Sequence, residues 1–448
     1  MADYRLSERT LPLHEGYDVI VTGGGPAGCA AAVSAARAGK RTLLIEQSDM
    51  LGGAGTRCLV NTWTPMTDRV RVIYAGIAYE VFRLALGRTP YVDPRRIDWV
   101  PVDAEALKSV YDDLTQEAGV DVLLGTRLCA AECGSGRVTA LICANQAGLG
   151  AWRAPVYIDC TGDAVLCALA GAPMELGDAH GQVQPATHCF VLANVNEAAC
   201  RAAPGFMKNG PDSALRRILA DGRYPIPDAH MVKTFFAPGM MSFNAGHLWQ
   251  VDPTDPASMS RAQREGRRLA RTYLQALKAY LPEAFGEAVL AQTASSVGGR
   301  EGRRIVGEYV FTLSDFLARR SFPDEIARGN YFVDVHYSRE ELSHSGARHS
   351  DDRFEHYAPG ESYGVPYRCL IPKMLDNVLC AGRSVSCDHM VLGSLRVMPE
   401  CLCMGQAAGA AAAQMIARSL DDARDVDTAA LRHALRAAGA YLPEEEQA

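Results

Sequence analysis

Residues 18–46, DVIVTGGGPAGCAAAVSAARAGKRTLLIE, constrain this chain more than any other stretch. They read as strand, glycine turn, helix, strand and acid. Asp18–Thr22 is short, apolar and β-branched, and Gly23, Gly25 and Gly28 place G-x-G-x-x-G on the turn after it. Pro26 suits a first helical turn, Cys29–Ala38 is a helix of small residues, and Gly39 sits where a left-handed cap is expected. Arg41–Ile45 returns as a second strand, and Glu46 stands at its end, 18 residues after Gly28. Each part has a physical task. Gly23 permits the tight turn, Gly25 lets backbone approach a pyrophosphate, and Gly28 lets the helix pack close to the sheet. The helix N-terminus offers free N–H groups and a positive dipole end to phosphates. Glu46 can accept both ribose hydroxyls, and its charge would repel a 2′-phosphate. A bare G-x-G-x-x-G also occurs in glycine-rich surface turns. The strand, helix, second strand and acid around this one predict a dinucleotide site.

At 448 residues the chain should hold two or more domains, and its 48% hydrophobic content supplies large cores. A formal charge of −7, with no basic run, argues against nucleic acid as a partner. The 14 cysteines are scattered without C-x-x-C, and Cys401-Leu-Cys403 is too tight for a zinc or iron–sulfur framework. No metal is expected, and a reduced, cytoplasmic setting is. Residues 1–16 read as a loose polar arm without the apolar core of a secretory signal. No apolar run approaches the ~20 residues that span a bilayer.

The pattern predicts an α/β fold in three stretches: 1–171, 172–360 and 361–448. In the first, a helix is expected over 103–118. Strands are expected at Val120–Leu124, Arg137–Cys143 and Val156–Asp159, the last running into Cys160-Thr161-Gly162-Asp163 and a helix over Asp163–Ala170. Composition then shifts to Pro/Gly/Asn loops with most of the histidines. Helices are predicted there at Met259–Leu281 and after Ser314. From about residue 363 the earlier style returns, with a buried strand at Asn377–Ala381, then Gly382-Arg383, then a small-residue helix over Met404–Arg418. The first and last stretches are therefore expected to form one cofactor domain around an inserted substrate domain.

Only one G-x-G-x-x-G is present, whereas flavin reductases that also hold a nicotinamide tightly usually carry two. T-G-D after a strand, Gly382-Arg383 after a strand, and LGSLRVMPECLCMGQAAG (392–409) all bring backbone or polar groups towards a flavin. A helix N-terminus aimed at the pyrimidine would stabilise charge near N1–C2=O on reduction. Six blocks then carry a resemblance: GGGPAG, LGGAGT, DCTGDA, SSVGGREGRRIVGEY (295–309), YGVPYRCLIPK (363–373) and the run 381–413. The chain resembles FAD-dependent oxidoreductases related to the fumarate reductase and succinate dehydrogenase flavoproteins, within the glutathione-reductase-like superfamily. The resemblance implies a Rossmann-like FAD-binding domain split in sequence, with an inserted α+β substrate domain. It implies FAD contacts at Gly23, Gly25, Gly28, Glu46, Gly53, Asp163, Gly382, Arg383, Ser394, Arg396 and Gln406. Membrane fumarate reductases attach FAD through a histidine ahead of a glycine-rich loop. Gln47–Gly53 has none, so FAD should be non-covalent.

Catalytic candidates follow from the chemistry. Oxidation of carbon by a flavin needs an oriented substrate and a group that handles a proton. Arg300 and Arg303, in GGREGRR, are i, i+3 neighbours that would share a face if helical; solvated arginines paired to Glu301 and Glu308 are the alternative. His389, in SCDHMVLGS, is placed to titrate beside the flavin or to hold a fixed hydrogen bond. His247 and His188 are weaker candidates, packing being the commoner fate of a lone histidine. Tyr363 and Tyr367 would hydrogen-bond substrate or pack at the domain junction, and Cys58 would face the flavin or fill space.

The expected function is hydride transfer between FAD and a small organic substrate, at a C–H bearing oxygen or nitrogen. Reduction of an activated C=C bond is the second reading, and a monooxygenase or halogenase the third. A non-catalytic electron-transfer subunit is the reading from another class, against which the missing cluster cysteines count. The electron acceptor is left open, and a homo-oligomer is compatible with the sequence.

Overall fold

Val19–Thr22 is the middle strand of a five-stranded parallel sheet in the computed structural model, which describes residues 7–207, 213–337 and 356–443. The order is Val378–Cys380, Val156–Asp159, Val19–Thr22, Thr42–Ile45, Asp121–Leu123. Register runs Leu379 to Ile158, Ile158 to Val21, Val21 to Leu44 and Leu44 to Val122. The four longest-range members are buried on both faces, which is why they read as unbroken apolar runs. Val378–Cys380, shorter than the expected Asn377–Ala381, thus belongs to the same sheet as the fingerprint strand, although the two are far apart in the chain.

The fingerprint helix Pro26–Arg37 leads from this sheet and packs on Met398–Arg418. Small residues let the two backbones touch. A Cβ on Gly405 would come 2.1 Å from the Ala27 carbonyl oxygen, and one on Gly409 2.2 Å from that of Ala31. Ala30, Ala31, Ala408 and Ala411 are fully buried on these helices. Met398–Arg418 begins six positions before the expected Met404, because Pro399 sits in its first turn, where a missing N–H costs nothing.

Strands Arg127–Gly134, Arg137–Asn145 and Gly148–Trp152 form an antiparallel meander. Of the arm expected to be loose over 1–16, residues 1–6 lie outside the described residues. Leu13–His14 is not loose: it pairs in parallel with Ala151–Trp152, and His14 stacks on Trp152 at 4.7 Å. Ala104–Glu117 is a helix capped by Asp103, whose carboxylate accepts from Glu105 N and Ala106 N. The helix expected over Asp163–Ala170 is only Val165–Leu169.

A second core lies in a four-stranded antiparallel sheet, ordered Met231–Ala237, Met240–Ala245, Phe190–Ala193, Val289–Thr293. Phe190 and Phe243 stack there at 4.9 Å, with Tyr273 against Phe190 at 5.8 Å. Helix Pro256–Tyr280 covers the sheet with Ala262, Leu269, Ala270, Tyr273 and Leu277, spaced for one face. It starts before the expected Met259 because Asp255 caps it and Pro256 opens it. His188 lies under this helix, where a Cβ on Gly266 would meet its own Cβ at 2.3 Å. The segment around Arg303 is not helical: Arg303–Ile305 is a strand paired with Met174–Leu176. Gly298, Gly299 and Gly302 interrupt any helix there, and Ile305 and Val306 favour extension. Arg300 and Arg303 therefore share no helical face. Among the described residues no helix is long and apolar enough to cross a membrane.

Candidate active site

A cavity of about 930 Å³ starts at the fingerprint and ends beside His230, Arg300 and His336, a size near the top of the usual ~300–1,000 Å³ for ligand sites. Gly23, Gly25, Glu46 and Gln47 line one end, beside Arg127. Gly23 has φ +92°, and a Cβ there would strike the Cys160 carbonyl at 2.5 Å, so only glycine fits. Gly25 faces open space, and it caps Pro26–Arg37 without any side-chain acceptor, which leaves first-turn N–H groups unclaimed. Gly28 does not line the cavity. A Cβ on it would lie 1.7 Å from the Gly23 carbonyl oxygen, so its place is in the helix–turn contact. The LGGAGT loop folds back over the turn, with Gly52 N donating to Gly24 O at 2.7 Å and Gly53 on the cavity wall.

Glu46 is 8% exposed and accepts three bonds: from Gly24 N at 2.6 Å on Oε2, and from Ser48 N and Oγ at 2.8 and 2.7 Å on Oε1. A carboxylate has about four acceptor positions, so capacity remains on the cavity side. This cradle fits a dinucleotide with an unphosphorylated ribose: free N–H groups, an open glycine and one acid.

In the middle stretch Gly162, Asp163, Gly382 and Arg383 line the wall. Arg383 is a brace. Its Nε donates to Gly162 O at 2.7 Å, one terminal nitrogen to Gly299 O at 2.6 Å and the other to Asp163 Oδ1 at 3.0 Å. Cys58 and Cys401 also line the wall. Burial pushes both thiols up, Cys401 to about 12, so neither is a thiolate at neutral pH.

The far end gathers Arg300, His230, Asp334, His336 and Arg396. Arg300 is 8% exposed and donates to Pro185 O at 2.8 Å and Thr187 Oγ1 at 2.7 Å, with His230 Nε2 3.2 Å away. Burial, then Arg396 nearby, pushes it down to about 10, still cationic at neutral pH. Arg396 donates to the Asp334 carbonyl at 2.6 Å, and its buried Nε has no partner among the described residues. His247 sits one layer behind. Its Nδ1 is 3.1 Å from Asp228 Oδ2 and its Nε2 is 2.7 Å from His336 Nδ1. His336 Nε2 is in turn 3.2 Å from Asp334 Oδ1. Burial pushes His336 down to about 3, with Arg300 adding to the effect, and lowers His230 as well. One nitrogen from each of His230, His247 and His336 falls within 4.8 Å of the others.

Other sequence candidates lie off the wall. His389 Nδ1 is 3.0 Å from Glu301 Oε1, in a buried group with Arg304 outside the cavity. Arg303 Nε donates to the Asp163 carbonyl at 2.9 Å, holding backbone rather than facing the space. Ser394 bonds the Tyr363 hydroxyl and the Tyr331 carbonyl, and Gln406 accepts from Ile77 N at 2.9 Å; both sit beneath the wall. Tyr363 and Tyr367 are packed, at 0% and 1% exposure. Sequence reasoning passed over His230, His336, Asp228 and Asp334. Their signal is a repeated D-x-H: Asp228-Ala229-His230 and Asp334-Val335-His336, where two positions along an extended chain face the same way.

A parallel α/β sheet with a glycine cradle leading to a buried basic and histidine pocket defines a nucleotide-cofactor enzyme. The chain belongs to the FAD dependent oxidoreductase family, whose model matches residues 18–435, and its cofactor is FAD. A stretch of 67 residues is 60% identical to the soluble pyridine nucleotide transhydrogenase of Marinomonas sp. (strain MWYL1), covering 15% of this chain and 14% of that protein. A geranylgeranyl bacteriochlorophyll reductase-like protein of Thermoplasma acidophilum superposes with TM-score 0.48 at 12% identity, over 96% of this chain and 85% of its own. The myxobacterial chondrochloren halogenase CndH does so with TM-score 0.46 at 11% identity, over 95% and 78%.

Proposed function

We propose that the protein oxidises a small polar organic substrate at a C–H bearing oxygen or nitrogen, with hydride passing to FAD. One observation carries this: Arg300, Arg396, His336 and Asp334 line the same cavity as the dinucleotide cradle. In this reading Gly23, Gly25 and the helix N-terminus would hold the pyrophosphate, Glu46 would hold the adenosine ribose, and Gly382 and Arg396 would contact the flavin. Bound FAD supplies a two-electron acceptor. The protein supplies the rest. Arg300 and Arg396 orient an anionic or electron-rich group of the substrate, and their burial strengthens that attraction. Neutral His336, beside Asp334, accepts the proton of the substrate O–H or N–H. The surrounding side chains exclude water from the step.

Reduction of an activated C=C bond flanked by a carboxylate is the second reading. The two buried guanidiniums favour it as well, since both would clamp that carboxylate. Purified holoenzyme is mixed anaerobically with panels of hydroxy acids, amino acids, amines and polyols while flavin absorbance is followed. Chemically reduced holoenzyme is mixed with unsaturated dicarboxylates. Bleaching in the first series supports oxidation. Reoxidation by the second series alone overturns it in favour of reduction.

A further inference from the structure

The contacts from Asp228 through His247 and His336 to Asp334 do not balance in protons. Three contacts link the four groups, at 3.1, 2.7 and 3.2 Å, and each is a hydrogen bond only with a proton between its atoms. Two neutral imidazoles carry one N–H each, and ionised carboxylates carry none. With both histidines neutral the chain is therefore one proton short. Either His336 Nε2 or His247 Nδ1 faces a carboxylate with nothing to donate, or His247 Nε2 and His336 Nδ1 face each other with no proton between them. One added proton completes all three bonds.

A metal ion is the other occupant that three converging imidazoles suggest. Two nitrogens bound at ~2.0–2.1 Å to a tetrahedral zinc stand about 3.3 Å apart. His247 Nε2 and His336 Nδ1 are 2.7 Å apart, a distance that suits a shared proton and not a shared ion.

The charged surroundings set where the added proton rests. Arg300 and Arg396 flank the cavity end, Arg396 being 3.8 Å from Asp334 Oδ2; Arg300 disfavours charge on His336, and Asp334 partly offsets it. His230 stacks on His247 at 4.5 Å and meets His336 edge-on at 5.0 Å. Behind them Asp228 accepts from His230 N at 2.7 Å, and from His247 N and Nδ1 at 3.0 and 3.1 Å, with the buried Tyr273 also near it. Asp228 is thus an anion held against His247, one position further from His336 along the chain of contacts. Trp249 lies against the other edge of His247, at 5.4 Å.

We propose that Asp228, His247, His336 and Asp334 form a proton relay, which takes the substrate's proton at His336 on the cavity wall and stores it on His247, out of the cavity. The step balances. The substrate O–H or N–H bond breaks and its proton goes to His336. The electron pair left behind forms C=O or C=N as the hydride of the adjacent C–H departs to FAD. The proton between His336 and His247 shifts to His247, so His336 is neutral again, now donating to Asp334. His247 and Asp228 act as positioning residues, since neither lines the cavity. The relay rests on the oxidation reading above, but it can be tested without any substrate.

The test is a pH titration of FAD-loaded enzyme labelled with ¹⁵N-histidine, read by ¹H–¹⁵N correlation. His247 and His336 should move together, with one apparent pKa for the pair and one strongly downfield N–H–N proton. Asp228→Asn should lower that pKa by about one unit, a tenfold weaker hold on the proton. Asp334→Asn, at the other end, should lower it too, and serves if the first variant does not fold. Separate titrations of His247 and His336, or a pKa unmoved by either variant, overturn the relay. Stoichiometric binding of added Zn²⁺ to these histidines in the resting enzyme overturns it in favour of a metal centre. A shared proton in an enzyme that no substrate panel bleaches leaves the relay standing and removes the oxidation reading. Bleaching by substrate with independent titrations does the reverse.

Discussion

The Gly24 amide donates to Glu46 Oε2 at 2.6 Å, so the acid at the end of the second strand also clamps the fingerprint turn. Glu46→Gln keeps the shape and loses the charge. FAD affinity should fall by about 1–2 kcal/mol, the range for charge-assisted hydrogen bonds. Flavin fluorescence during reconstitution of stripped protein measures it. Unchanged affinity would remove Glu46 from the ribose.

FAD should be released intact. Gln47–Gly53 contains no histidine, and the two wall thiols are un-ionised. Acid precipitation should leave a white pellet and a yellow supernatant. Colour that remains in the pellet refutes non-covalent binding.

Gly405→Ala should destabilise by about 1–3 kcal/mol, the usual cost of overpacking. Its new methyl would press on the Ala27 carbonyl, which cannot move without shifting the turn that holds Gly25. Denaturant unfolding of holoenzyme and FAD affinity should both be affected. Gly87→Ala, where a Cβ meets nothing within 4 Å, is the control.

Arg300→Lys keeps a positive charge and loses the fork that spans Pro185, Thr187 and His230. With a substrate identified by flavin bleaching, half-saturation should rise about tenfold or more while FAD stays bound. An unchanged value would place substrate elsewhere.

Burial pushes His188 down to about 4, from an ordinary value near 6.5. The unfolded chain therefore binds the extra proton first, and stability from this group is lost as pH falls from about 6.5 towards 4. The melting temperature should decline over that window in the parent protein. His188→Gln, which cannot titrate, should flatten the decline. An equal slope in both proteins would exclude His188 as its source.

The cofactor half was legible because its signals are local. G-x-G-x-x-G, a strand on either side and Glu46 all fall within 29 residues, and Gly23 and Gly28 leave no room for a Cβ. The far end of the cavity was legible only in part: the sequence points to Arg300, His247 and Arg396 but not to Asp228 or His336, which come from separate segments that no spacing rule links. Arg303 and His389 drew notice through their neighbours in sequence. In space Arg303 holds the Asp163 carbonyl and His389 pairs with buried Glu301. Arg300 was picked from the same basic run, and only the glycine-broken backbone separates its place from that of Arg303.

Ser34 Oγ donates to the Gln406 carbonyl across 372 positions of chain, beside the glycines that receive Ala27 and Ala31. During synthesis the fingerprint helix is made early, and the helix that covers one of its sides, residues 398–418, leaves the ribosome late. The antiparallel sheet and the core that holds Phe190, Phe243, Tyr273 and Phe285 are complete in sequence before that helix is made. The seam between the two helices therefore closes late, after most of the chain has been made.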